Sequence, residues 1–209
     1  MNIKKLAIGL SAGAIILGAS AVSVFAAYTL FGTGVNNAGI IETVSDTSVP
    51  ATPADDFGGI SFDDANGITF SALTSLSAEF NVTNDDCGGG SPRFSISMYT
   101  NGDNASDGNI FVYMGHVPNF TGCTQNTFVS TGELIGSTDT RFDLTQLGGP
   151  FYGTYANALS LLGSDTILRI SIVTDAGWAQ GDGEQEVWFD NVKINNTTYA
   201  FTTKDSCKN

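Results

Sequence analysis

Positive charge, histidine and cysteine are all scarce in this sequence, and each shortage excludes something. Eight Lys and Arg stand against 21 Asp and Glu in 209 residues, with a single histidine, His116. If Lys4 and Lys5 leave with an N-terminal leader, 6 basic residues face 21 acidic ones and the net charge is −15. That balance repels nucleic acid and anionic lipid surfaces. It suits a solvated extracellular chain or one that binds divalent cations. Catalysis has little to work with. No Gly-x-Ser-x-Gly elbow accompanies His116, which lies in Gly115-His116-Val117-Pro118, the setting of a strand end. Cysteines occur only at 87, 123 and 207, without a CxxC pair, so the usual zinc arrangements are excluded. Charged residues make up only 14% of the chain, which leaves Gly, Ser, Thr and Asn to fill the solvent-facing positions. This is the composition of exported β-rich proteins and not of helical ones.

What is present begins with an apolar N-terminus. Lys4 and Lys5 precede the run Leu6 to Val22, and Val24-Phe25-Ala26 supplies small residues where a signal peptidase reads. Residues 1–26 are therefore expected to be a signal peptide, and the mature chain to be secreted, extracellular or on the cell surface. A retained anchor is the competing reading, since Leu6 to Ala27 is about long enough to span a bilayer. Its Gly, Ala and Ser content weakens that reading, and after cleavage no stable membrane span is expected. In an oxidising compartment Cys87 and Cys123, both in Gly-rich contexts, are the natural disulfide. Cys207 is then left in the polar tail 204–209, free, bonded to a partner or competing for one of the other two.

Residues 27–56 include the Ser/Thr/Pro/Ala-rich run Val44 to Asp56 and read as a flexible arm or linker. From Phe57 the pattern changes to short β-branched and aromatic segments between turn residues. Leu76 to Val82 and Arg93 to Tyr99 alternate apolar and polar residues, the period of strands with one buried face. Gly59 to Phe62, Ile68 to Phe70, Thr140 to Leu144 and Thr166 to Val173 add strands. Asn109 to Met114, apolar on both faces, is expected to be central. Val187 to Ile194 and Thr198 to Phe201 form a hairpin through Asn195-Asn196. Tyr152 to Leu162, apolar at three- and four-residue spacing and closed by Gly163, predicts one short helix. The expected fold of residues 57–203 is an all-β, antiparallel two-sheet sandwich of jelly-roll type.

The stretch Glu186-Val187-Trp188-Phe189-Asp190-Asn191-Val192-Lys193-Ile194 resembles the final strand of jelly-roll carbohydrate-binding modules and related exported domains. That resemblance implies the sandwich fold and a sugar or calcium role, and it transfers no binding residue.

Two residue groups carry candidate chemistry. The loop Asn101 to Asn109 places Asn101, Asp103, Asp107 and Asn109 between two strands, and calcium takes six to eight hard oxygens from such loops. It lacks the EF-hand glutamate, and the same residues are the ordinary ones of a polar turn. The second group is aromatic. Trp178 is the leading platform for a sugar ring, with Asp175, Gln180 and Asp182 in its loop to read hydroxyls and Tyr113 as a further ring. Trp188 is expected inside. The favoured function is thus a non-enzymatic binding module for a glycan or cell-surface polymer, with calcium as its cofactor. A self-associating surface subunit, adding Tyr28 to Phe31 as a strand to a neighbour, is the alternative. A glycoside hydrolase using Glu184 and Glu186 ranks last, because no third carboxylate lies in phase with them. Sequons at Asn81, Asn104, Asn119, Asn195 and Asn196 fit a secreted chain.

Overall fold

A computed structural model describes residues 27–47, 56–63, 65–101 and 105–201. The leader, the tail and Asp103 lie outside these residues. Twelve strands form two antiparallel sheets. The first sheet contains β1 (Tyr28–Gly32), β4 (Gly58–Phe62), β10 (Thr166–Thr174), β6 (Arg93–Tyr99), β7 (Gly108–Tyr113) and β9 (Phe142–Asp143), in that spatial order. The second runs β2 (Val35–Asn37), β3 (Ile40–Asp46), β11 (Glu184–Ile194), β5 (Leu76–Asn84) and β8 (Val129–Ser130), with β12 (Thr197–Tyr199) also paired to β11. The chain crosses repeatedly between the sheets, the habit of jelly rolls. The expected all-β sandwich with one short helix is what forms.

Alternation in sequence becomes layering. Ile60, Phe62, Phe94, Ile96, Ile110, Val112, Ile170 and Ile172 point inward from the first sheet, and Ile41, Phe80, Val82, Val187 and Phe189 from the second, all fully buried. Each such side chain contributes about 1.5–3 kcal/mol by leaving water. The β11–β12 hairpin turns at Asn195-Asn196, with Asn195 at φ 51°. Asn191, at φ 45°, sits where the β11–β5 register shifts between Asp190 and Lys193, so the Asp-Asn-Val stretch carries a bulge.

Four expectations are corrected. The described part of the arm, residues 27–47, is not a linker: β1 pairs with β4 and β3 with β11 of the same chain. Tyr28 to Phe31 is therefore a strand of its own domain. The helix α1 is Tyr155–Leu162, three residues shorter at its start than expected. Gly153 exchanges two 2.9 Å backbone bonds with Phe142, which holds Tyr152 outside the helix, and Thr154 with Asn157 forms a capping box. Ile68 to Phe70 is no strand: only Thr69 bridges, to Thr166, before a 3-10 turn at Phe70–Ala72. Strand β7 lies second from the sheet edge, and its outward apolar residues Phe111 and Tyr113 are covered by arginines instead of by a neighbouring layer.

At the end of the sandwich where β1 begins, Tyr28 meets Phe201 edge-on at 4.9 Å, and Asn36 donates to the Phe201 carbonyl at 3.1 Å. Strand β1 thus begins at the corner where the described chain ends.

Candidate ligand-binding face

The outward side of the first sheet follows from parity. Residues adjacent to the buried Ile60, Ile172, Phe94, Val112 and Phe142 must face away from the core. Read across the register, Thr29, Ser61, Ser171, Ser95, Phe111 and Asp143 form one row. Phe31, Gly59, Val173, Arg93 and Tyr113 form the next, and the Tyr113 N–H donates to the Arg141 carbonyl at 3.3 Å. The hydroxyl side chains leave the middle of the face low, with Phe31 on one side and Phe111, Tyr113 and Arg141 on the other. A register shift between Ile167 and Arg169 turns Arg169 onto the same face, opposite Ser97. There Ser97 and Ser106 share a 2.7 Å hydrogen bond. Together with Thr29, Ser61, Asp63, Asn66, Leu168 and Arg169 they line an open depression of about 520 Å³.

The loops at the far end of this face rest on buried polar groups. Thr43, Ser45 and Gln185 point inward with no exposure. Thr43 bonds the Thr174 hydroxyl at 2.7 Å; Ser45 donates to the Asp56 carbonyl at 2.7 Å and accepts the Gly177 N–H at 2.9 Å. Gln185 accepts from the Ser91 hydroxyl at 2.6 Å and donates to the Asp86 carbonyl at 2.7 Å. Every bond here satisfies a group that would otherwise be costly to bury. The expected Cys87–Cys123 disulfide is present and staples the loops after β5 and β7, with 5.7 Å between Cα atoms. Asp86 accepts the N–H groups of Cys87, Gly122 and Cys123 at 2.7–2.8 Å. Among the described residues, Asp86, Cys87 and Cys123 are the one group with ligand atoms close enough to share an ion, and both sulfurs are already bonded to each other.

The sequence-predicted ligand residues are partly brought together. Trp178 is 67% exposed, and its ring lies over Gly89. Tyr113 lies over Gly90, where φ is +88° and a Cβ would stand 2.6 Å from the ring. The Gly88-Gly89-Gly90 run thus lets two aromatic side chains close on one loop. Asp175 does not face Trp178: both its oxygens accept from Arg93 at 2.6 Å. Gln180 Nε2 lies beside Gly88, buried. Asp182 turns to the Glu184 N–H at 2.9 Å and to Asp85. The side-chain contact with Asp182 raises the Asp85 pKa against backbone N–H groups of Asp182 and Gly181 that lower it, while the Glu184 N–H and Asp85 lower that of Asp182. Tyr113 is only 8% exposed, its hydroxyl donates to Asp143 at 3.0 Å, and burial pushes its pKa to about 12. It is a floor for Arg141 and leaves little surface for a ligand.

Of the described calcium candidates, Asn101 and Asp107 meet and Asn109 turns away from them. Asp107 accepts from the Thr100 N–H and hydroxyl at 2.7 and 2.8 Å and from Asn101 Nδ2 at 2.7 Å, and the two Thr100 donors, with the Asn101 backbone N–H, lower its pKa. Asn109 turns to Gln146. Trp188, expected inside, is half-buried on the outward side of the second sheet, where Nε1 donates to Glu186 at 2.8 Å. Among the sequons, Asn81 is buried and Asn195 caps residues 74–75, whereas Asn119 and Asn196 are exposed.

The residue that sequence reasoning missed is Arg141. It is 8% exposed, with its guanidinium carbon 3.6 Å from the Phe151 ring centroid, 4.2 Å from Tyr152, 4.4 Å from Tyr113 and 5.5 Å from Phe120. Phe151 and Tyr152 are themselves 47% and 69% exposed. A signal existed: Arg93, Arg141 and Arg169 are the three arginines of the sequence, and each stands next to a core position of a predicted strand. No family model, curated protein or solved structure matches this chain.

Proposed function

We propose that this protein is a secreted, non-enzymatic glycan-binding domain whose ligand lies across the outward side of the first sheet. The carrying observation is the row Thr29, Ser61, Ser171 and Ser95, a recessed hydroxyl-bearing floor between aromatic rings in which Thr29 is exposed, Ser95 half-buried and Ser61 and Ser171 nearly buried. Sugars present hydroxyls on their edges and C–H groups on their faces, so hydroxyl floors with aromatic flanks match both. Trp178, exposed at the loop end, extends this surface. The leader-like N-terminus supports export, and among the described residues no helix is long and apolar enough to cross a membrane.

The test is a glycan panel read by calorimetry or surface plasmon resonance on the protein and on Ser171→Trp. That substitution fills the floor on the outward side while leaving Ile170 and Ile172 in the core. Saturable binding lost in Ser171→Trp with unchanged Tm supports the reading; binding that survives the filled floor refutes it. One observation favours a second reading: β1 is an edge strand, so its outer backbone is open to another strand. Concentration-dependent assembly in sedimentation, absent when Thr29 and Phe31 are replaced by proline, would favour a structural subunit.

A further inference from the structure

We propose that Arg141, with Phe151 and Tyr152, is a subsite for a carboxylate of the bound glycan, so that the ligand is an acidic, uronate-bearing polysaccharide. The inference rests on the glycan-binding reading of this face and names its ligand class.

The distribution of charge comes first. In a chain of net charge −13, the three arginines all stand on the outward side of one sheet. Among the described residues the remaining full cation is Lys193, on the opposite sheet. Arg93 is matched by Asp175, the one ion pair among the described residues. Arg169 is exposed in the depression, whose lining also includes Asp63, with no ion pair between the two. Arg141 is more than nine-tenths buried, yet no carboxylate reaches it. Its Nε donates to the Phe151 carbonyl at 3.0 Å, and its Nη2 has no acceptor.

A buried guanidinium donor without an acceptor is costly. The four rings offset part of that cost through cation–π attraction, but a ring face does not replace an in-plane oxygen at Nη2. The rings above it are also unusual for their exposure. Phe151 and Tyr152 meet edge to face at 5.0 Å and 90°. Gly153, clamped to Phe142, holds the turn that presents them. Tyr152, the more exposed ring, is the one that yields. When it swings aside, a carboxylate oxygen reaches Nη2 and the sugar's C–H face rests on Phe151, an arrangement in which both the charge and the ring find partners. Arg169 lies three strands across and four residues along from Arg141. Strand geometry puts that at about 14 Å by about 13 Å, the reach of a polymer bearing a charge on successive sugars.

The experiment compares polygalacturonate with its methyl ester, with a sulfated glycan and with a neutral glucan. Calorimetry is run on the wild-type protein, Arg141→Gln, Tyr152→Ala and Arg169→Gln, with near-ultraviolet circular dichroism as a check of folding. The expected result is roughly ten-fold tighter binding of the acid than of the ester, abolished in Arg141→Gln and reduced less in Arg169→Gln. Should Arg141→Gln not fold, Tyr152→Ala decides: it keeps the cation, removes the covering ring and is expected to preserve the preference for acid over ester. Equal affinity for acid and ester in the wild type would overturn the subsite while leaving the glycan face standing. Stronger binding of the sulfated glycan that also depends on Arg141 would overturn the carboxylate assignment. Binding to none of the four polymers would overturn the glycan reading itself.

Discussion

The two outward faces of this sandwich are made by the same rule and carry opposite chemistry. On the first sheet the polar phase of the strands holds Thr29, Ser61, Ser95, Ser171, Asp143 and the three arginines, one of them paired with Asp175. On the second it holds Glu42, Asp46, Glu79, Glu184, Glu186 and Asp190, with Lys193 as their cation. Secondary structure is indifferent to this choice, because either set leaves the inward residues free to pack. What differs is the field each face presents. The acidic side repels polyanions, while on the first sheet Arg141 and Arg169 offset the carboxylates, so on the glycan-binding reading an acidic polymer favours the first sheet. The acids of the second sheet also answer one another's donors: Asn84 donates to Glu184 at 2.6 Å and Asn191 to Glu79 at 2.8 Å. Arg141 has no such answer.

The comparison is broken most severely by removing what both faces share. The Cys87–Cys123 bridge closes a 36-residue span, and its loss in Cys87→Ser/Cys123→Ser is expected to cost about 4 kcal/mol, lowering Tm by about 10 °C in calorimetric melts. Next comes Asp175→Asn, which leaves Arg93, 13% exposed, without its partner. About 2 kcal/mol is expected to be lost in denaturant unfolding. The counterpart on the acidic side, Glu186→Gln, keeps the Trp188 bond and is expected to change stability by less than about 0.5 kcal/mol. Affinity sharpens the contrast further. Arg169→Glu and Lys193→Glu alter net charge equally, but at about 0.1 M salt only the first is expected to weaken polygalacturonate binding, by roughly ten-fold.

The smaller effects concern protons. Tyr113 ionises in the folded protein at about 12, above its ordinary 10.0. Its contribution to stability is therefore complete below pH 10 and is lost as pH rises from 10 through 12. Ultraviolet titration of wild type against Tyr113→Phe is expected to show that late tyrosinate vanish. Smallest is Asp85→Asn, which relieves the carboxyl–carboxylate contact at a residue with φ 59°. Asp85 holds its proton longer than usual, so relief is felt once pH exceeds that raised pKa. A rise in Tm of no more than about 2 °C at pH 7, absent at pH 3, is expected.

Much of the fold was legible because apolar alternation reported it: β5, β6, β10 and β11 follow their sequence segments closely. Strand β3 was hidden because its inward residues after Ile41 are Thr43 and Ser45, whose burial depends on partners from distant loops. Tyr152 was misplaced because its spacing to Tyr155 fits a helix, while the bonds between Gly153 and Phe142 that exclude it are tertiary. The disulfide and the exposure of Trp178 were readable from loop composition. The Arg141 box was not, since Tyr113 reaches it from strand β7 and Phe120 and Phe151 from two separate loops. Parity alone would have put all three arginines on outward faces, but only sheet order shows that it is one face.

The meeting of Tyr28 with Phe201 has a consequence for presentation. Tyr28 and Phe201 lie together at one corner of the domain, at the end opposite Trp178 and the disulfide-stapled loops. A tether on either side, whether to an envelope, a matrix or another domain, holds the sandwich like a paddle by its handle. On the glycan-binding reading, Trp178, Phe151 and Tyr152, all exposed, form the edge where a long polymer makes first contact.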